Sequence, residues 1–238
     1  MTRLLMLAAL TAGAAAAAEN YCWGFLNAHP ERKPIPDAEA QEIQKAHLAH
    51  LERMGQEGKL LAAGPMAIRG GPIGIVVYRC SSIAEAEAWA AADPAVQKKR
   101  LSVEMYRWVG PDGVGEPLMT QLKTDPKAKF EMVRLPLVIY RRTDKWKDEP
   151  PGALAKSHRE YVESLERTGK VRMRGRLSLD PGQSSAVAQP LGLAVLSAMT
   201  LEEATALVAQ DPLVREGYVR TDNLMWFVAN EVIPPAAK

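Results

Sequence analysis

Cysteine, phenylalanine and histidine are all scarce in this chain, at two, three and four residues among 238. Two cysteines allow one disulfide at most, and neither lies near a predicted pocket, so covalent catalysis by a thiol is not expected. No serine sits in a nucleophile-elbow motif. The one glycine-rich run, residues 70–74, enters a strand and lacks the strand–turn–helix setting of a dinucleotide site. Charge of one sign is lacking too: the formal net charge is +2, which argues against general nucleic-acid binding. Beyond the first eighteen residues no long apolar run occurs, so no membrane span is expected in the mature chain. Nothing in the sequence asks for a cofactor.

What is present begins with a processing segment. Residues 1–18 carry Arg3, an apolar run and a small-residue end at Ala16, Ala17 and Ala18. This is the pattern of a secretory signal, too short for a lasting anchor. The reading expects an exported protein, secreted or periplasmic. In that setting Cys22 and Cys80 invite a disulfide. They lie at the start of the first predicted strand and the end of the third, and meet if those strands are antiparallel neighbours.

The chain is internally duplicated. Lys45, His47, Gly58 and Lys59 recur as Lys156, His158, Gly169 and Lys170, each pair 111 residues apart. Ser82, Glu85, Asp93, Pro94 and Trp108 recur as Thr200, Glu203, Asp211, Pro212 and Trp226, each 118 apart. The second copy therefore carries seven extra residues (118 − 111), placed in the Ser-, Gly- and Pro-containing stretch 177–190. A period this long means two copies of a small domain. The expected organisation is a signal over 1–18, repeat 1 over 19–110, a linker over 111–130 and repeat 2 over 131–238.

Each copy reads strand, helix, strand, strand, helix, strand. In repeat 1 the strands are predicted over 21–26, 60–63, 73–79 and 101–109, with helices over 37–57 and 82–92. In repeat 2 the strands fall over 135–140, 171–174, 191–197 and 219–228, with helices over 152–167 and 201–210. The evidence is helical spacing of apolar positions, β-branched runs and capping boxes at Ser82 and Thr200. The fold class is α+β: two ferredoxin-like β-α-β-β-α-β repeats, each with an apolar sheet face to bury. Packing sheet against sheet makes an intramolecular α+β barrel, a pseudo-dimer that leaves further dimerisation open.

Several runs resemble the YciI-like (YCII-related) proteins of the dimeric α+β barrel group. They are the His47 helix, the run from Gly58 and Lys59 to Gly64 and Pro65, the stretch Ala84 to Trp89, and Asp93-Pro94. Repeat 1 matches over nearly its full length. Repeat 2 keeps His158, Gly169, Lys170, Asp211 and Pro212, but has Gly175 and Arg176 where repeat 1 has Gly64 and Pro65. The resemblance implies enzymes that act on small organic molecules through a His–Asp pair.

The candidate catalytic residues are therefore His47 with Asp93 and His158 with Asp211. A carboxylate beside an imidazole fixes the tautomer and leaves the other ring nitrogen for proton transfer. Such a pair abstracts a proton next to a carbonyl or activates water, in an isomerase, lyase or hydrolase step. The alternative is a binding or structural domain with a satisfied buried histidine, Asp-Pro merely starting a helix. Repeat 1 is the half expected to keep full activity. His50 and Tyr161, one turn along, are candidate pocket residues, although packing serves equally. Two histidines three apart without a third ligand make a poor metal site, so none is expected. Arg172, Arg174 and Arg176 share one strand face, where repeat 1 has Leu61, Ala63 and Pro65. They either protect an edge strand or, through Arg174 and Arg176, bind an anionic small molecule.

Overall fold

The computed structural model describes residues 21–67, 71–147, 150–181 and 189–234. The expected signal segment lies outside them, as do residues 182–188 of the insertion and the tail after Pro234. Repeat 1 contains β1 (Tyr21–Ala28), α1 (Asp37–Gln56), β2 (Leu60–Pro65), β3 (Gly74–Arg79), α2 (Ile83–Ala91), α3 (Pro94–Gln97) and β4 (Leu101–Val109). A helix α4 (Glu116–Thr124) then leads into repeat 2. That half is built from β5 (Met132–Arg142), α5 (Gly152–Arg167), β6 (Val171–Ser178), β7 (Pro190–Leu196), α6 (Leu201–Val208), α7 (Pro212–Arg215) and β8 (Val219–Ala229).

All eight strands form one antiparallel sheet in the order β2-β3-β1-β4-β6-β7-β5-β8. Each half keeps the ferredoxin-like order, and the halves meet where Arg107 to Val109 pair with Ser178 to Arg176. The outer strands meet as well. Met66 bridges Trp226, and the Ala67 N–H donates to the Met225 carbonyl over 3.1 Å. Those contacts close the sheet into a barrel, which removes the free edges that invite aggregation.

Period-2 alternation decides which side chains fill it. Tyr21, Trp23 and Phe25 point inward, joined by Trp108, Trp226, Leu137 and Val195 in one core drawn from both repeats. Cys22 and Leu26 point outward instead, under α1 and α2, and Val138 and Ala194 do so under α5 and α6. The duplicated Trp108 and Trp226 lie on either side of Trp23, with ring centroids 5.0 and 5.5 Å from it. Truncating a ring at such a site costs about 3–5 kcal/mol. Cys22 and Cys80 form a disulfide with Cα atoms 5.9 Å apart, tying β1 to the loop after β3.

Two elements differ from expectation. The linker read from its glycine and proline content is ordered: it turns at Gly113 and Gly115, both at positive φ, and then forms α4. Gly115 is also obligatory on space, because a Cβ there would stand 2.7 Å from the Leu61 carbonyl oxygen. Met119 buries against the barrel, so a helix that looked like connection covers part of repeat 1. Strand β6 is not an edge strand either. It pairs with β7 from Val171 to Arg176 and with β4 from Arg176 to Ser178, so edge protection does not account for Arg176. The described part of the insertion joins the halves: Asp180 accepts from the Ile83 N–H at the start of α2 and from Arg107 Nε, each over 3.2 Å.

Candidate functional site

Helical spacing puts His47 on the sheet-facing stripe of α1, and the short helix α3 brings Asp93 beneath it. The imidazole Nδ1 lies 2.6 Å from Asp93 Oδ2. The other carboxylate oxygen accepts the Ala95 N–H over 2.8 Å, so one aspartate both caps α3 and holds the histidine. Repeat 2 reproduces this arrangement. His158 Nδ1 is 2.8 Å from Asp211 Oδ2, and Asp211 Oδ1 accepts the Leu213 N–H over 2.9 Å. Capping and pairing, alternatives in the sequence, coexist in both halves. A carboxylate at Nδ1 assigns the proton there and leaves Nε2 as the basic nitrogen.

The two pairs differ in access. His47 and Asp93 are 8% and 4% exposed. The His158 side chain is 27% exposed above a fully buried Asp211, and it lines a cleft of about 790 Å³. That cleft lies between α5 and the outer face of β5, β6 and β7, and its far wall is the end of β4 with Gly110 and Pro111 from repeat 1. In repeat 1 the corresponding hollow, about 700 Å³, is walled by Leu118, Met119 and Leu122 of α4 and does not include His47. The open pair is thus in repeat 2, whereas the sequence favoured repeat 1 as the half to keep full activity.

The remaining candidates separate in the same way. Arg174 and Arg176 both line the cleft. Arg174 is already engaged, in a two-pronged pair with Glu166 at 2.8 and 2.9 Å, which holds its guanidinium protonated. Arg176 is exposed, and its guanidinium makes no hydrogen bond or ion pair among the described residues. Arg172 is half-buried on the same strand and lies outside the cleft. Tyr161 does not line the cleft; its hydroxyl donates to the Leu207 carbonyl over 2.7 Å and it packs beneath α6. His50 is 2% exposed, and its Nδ1 accepts from Arg53 over 3.0 Å. That bond assigns the proton to Nε2, which is buried facing the Trp89 backbone. Burial chiefly, with Arg53 and His47 adding and Asp93 opposing, holds the His50 pKa below the usual imidazole value.

Sequence reading missed Tyr140. It lies in the cleft, its ring meeting His158 edge-on at 6.2 Å between centroids. Its phenol makes no hydrogen bond among the described residues. Burial, with Asp211 nearby, pushes its pKa well above the usual phenol value and keeps it protonated. Only the aligned strands reveal it, because repeat 1 carries Leu26 at the equivalent place. Among the described residues no group of three or more His, Cys, Asp and Glu is placed to hold a metal ion, and no helix is long and apolar enough to cross a membrane.

A duplicated ferredoxin-like chain closed into one barrel, with a helix-borne His on a capping Asp in each half, defines a fused α+β barrel protein. The chain belongs to the YCII-related domain family, whose model matches residues 25–109 and 135–227. A comparison with curated proteins finds no match. Among solved structures the chain is similar to a variant chlorite dismutase from Candidatus Nitrospira defluvii in complex with cyanide. Identity is 12% and the TM-score 0.54, over 91% of this chain and 93% of that one. It is also similar to a haem-binding protein from Thermus thermophilus, at 12% identity and a TM-score of 0.49 over 90% and 92% of the two chains. At this identity the chlorite dismutase likeness speaks for the fold alone.

Proposed function

We propose that this protein is an exported, cofactor-free enzyme acting on a small organic molecule in the repeat 2 cleft, with His158 and Asp211 as its acid–base unit. One observation carries the reading: His158 is held at Nδ1 by a buried carboxylate while its ring borders an open cleft. In that arrangement Nε2 takes a proton from a bound molecule, and Asp211 orients the ring and stabilises the imidazolium that forms. A base beside a carbonyl-activated C–H supports isomerase or lyase chemistry; the same base acting on water supports hydrolysis. The Cys22–Cys80 disulfide supports an oxidising compartment, and with it export. The buried His47–Asp93 pair supports a second reading for repeat 1, that of a structural pair bracing α1 against α3.

The test follows the ring protons of His47 and His158 through an NMR pH titration, in wild type and in Asp93→Asn and Asp211→Asn. The His158 ring resonances are expected to respond to Asp211→Asn, since the carboxylate holds the Nδ1 proton. A His158 indifferent to Asp211→Asn removes the acid–base unit and leaves a helix cap.

A further inference from the structure

The cleft floor can be read as a row across four strands. Val109 pairs with Arg176, Arg176 with Gly192, and Gly192 with Tyr140, and all four residues line the cleft. The equivalent row in repeat 1 runs from Pro65 to Gly74 to Leu26. The central glycine is common to both halves. A guanidinium and a phenol flank it only in repeat 2, the half whose histidine is open.

The polar head of neither flanking side chain is engaged among the described residues. The Arg176 guanidinium and the Tyr140 hydroxyl have no partner among the described residues, whereas neighbouring Arg174 is occupied by Glu166. The cationic side chains around the cleft, Arg159, Arg174 and Arg176, outnumber its one carboxylate at Glu166, so the potential favours an anion. Arg176 and Tyr140 lie two strand spacings apart, roughly 10 Å between Cα atoms. Side chains leaning inward over Gly192 would grip a molecule only a few bonds long. The walls beside them, Trp146, Val162 and Leu191, are apolar.

We propose that the site takes a small 2-oxo carboxylate with an apolar body, Arg176 binding its carboxylate and Tyr140 donating to its carbonyl oxygen. Tyr140 is then a catalytic residue. His158 Nε2 removes a proton from the carbon next to the carbonyl. The electron pair of that C–H bond moves into the enolate, and the phenol O–H stabilises the oxygen where charge develops. Return of the proton from His158 regenerates the keto form, so the cycle balances without an oxidant or a second reactant. A protonated phenol is what this role needs, and burial keeps it so.

This inference rests on the proposed acid–base role of His158, and the experiment separates the two. The probe is phenylpyruvate in deuterium oxide, with NMR following exchange of its C3 protons and calorimetry following binding; 3-phenylpropionate, which lacks the oxo group, is the companion ligand. Wild type is expected to bind both and to speed exchange above the buffer rate. Arg176→Gln is expected to weaken both ligands at least tenfold. Tyr140→Phe should weaken phenylpyruvate alone and slow exchange at least tenfold. His158→Gln should abolish exchange with binding retained, and His47→Gln should leave exchange unchanged. Exchange lost in His158→Gln but kept in Tyr140→Phe and Arg176→Gln would uphold the base and overturn the assignment of these two residues. Exchange indifferent to His158→Gln would overturn the base itself. Failure of folded wild type to bind either acid would overturn the ligand class.

Discussion

Single residues in this protein carry two duties, and the two aspartates show it best. Asp93 and Asp211 each cap a four-residue helix and hold a histidine. Asparagine caps a helix nearly as well as aspartate, whereas alanine does not. Asp93→Asn is therefore expected to cost about 1 kcal/mol less than Asp93→Ala in urea unfolding. Equal losses would show that the charge on the pair, not the cap, is what matters there. His50 makes a pH prediction. Its folded-state pKa is lowered from 6.5, so between the two values the unfolded chain binds more protons than the folded one. Stability should then fall as pH drops below about 6.5, against a local background set by Asp93, Arg53 and His47. The urea midpoint of wild type should drop more between pH 7.5 and 5.5 than that of His50→Phe. Matching slopes would remove His50 as the cause.

Elements were legible in the sequence wherever a period or a cap marked them. Constant spacing marked all eight strands and helices α1, α2, α5 and α6, because apolar alternation and the Ser82 and Thr200 caps are local signals. Gly58 and Gly169, which recur at the same place in the two repeats, follow the ends of α1 and α5 with φ of 72° and 68°. Helix α4 stayed hidden because glycine and proline at its start look like loop, and only tertiary contact with Leu61 shows why Gly115 stands there. The site was legible to the same extent. The His–Asp pairs could be named from a repeated spacing, but the cleft could not, since Arg176, Gly192 and Tyr140 come from three strands whose register no local signal announces. Gly115→Ala tests the packing of α4. A left-handed φ and a contact with the Leu61 carbonyl together should cost about 1–3 kcal/mol. A loss well under 1 kcal/mol would mean that the turn relaxes freely.

At the scale of the whole molecule the barrel is one cooperative object. Its core draws Trp23 and Phe25 from one repeat and Leu137 and Val195 from the other, so neither half buries its inner face alone. Urea unfolding followed by tryptophan fluorescence and by far-ultraviolet circular dichroism should give one coincident transition. Two separated transitions would mean that the repeats are independent. The disulfide closes a loop of 58 residues in sequence, which in the chain-entropy model stabilises by about 4 kcal/mol. Cys22→Ala with Cys80→Ala should lower the unfolding free energy by up to that amount and still leave a single transition. A second event appearing in the doubly substituted chain would assign cooperativity to the crosslink instead of to the shared core.

That crosslink lies wholly in the half whose histidine is sealed. The cleft is thus shared between a crosslinked and an uncrosslinked half: β4, Gly110 and Pro111 come from the repeat that holds the disulfide, and His158, Arg176 and Tyr140 from the repeat that has none.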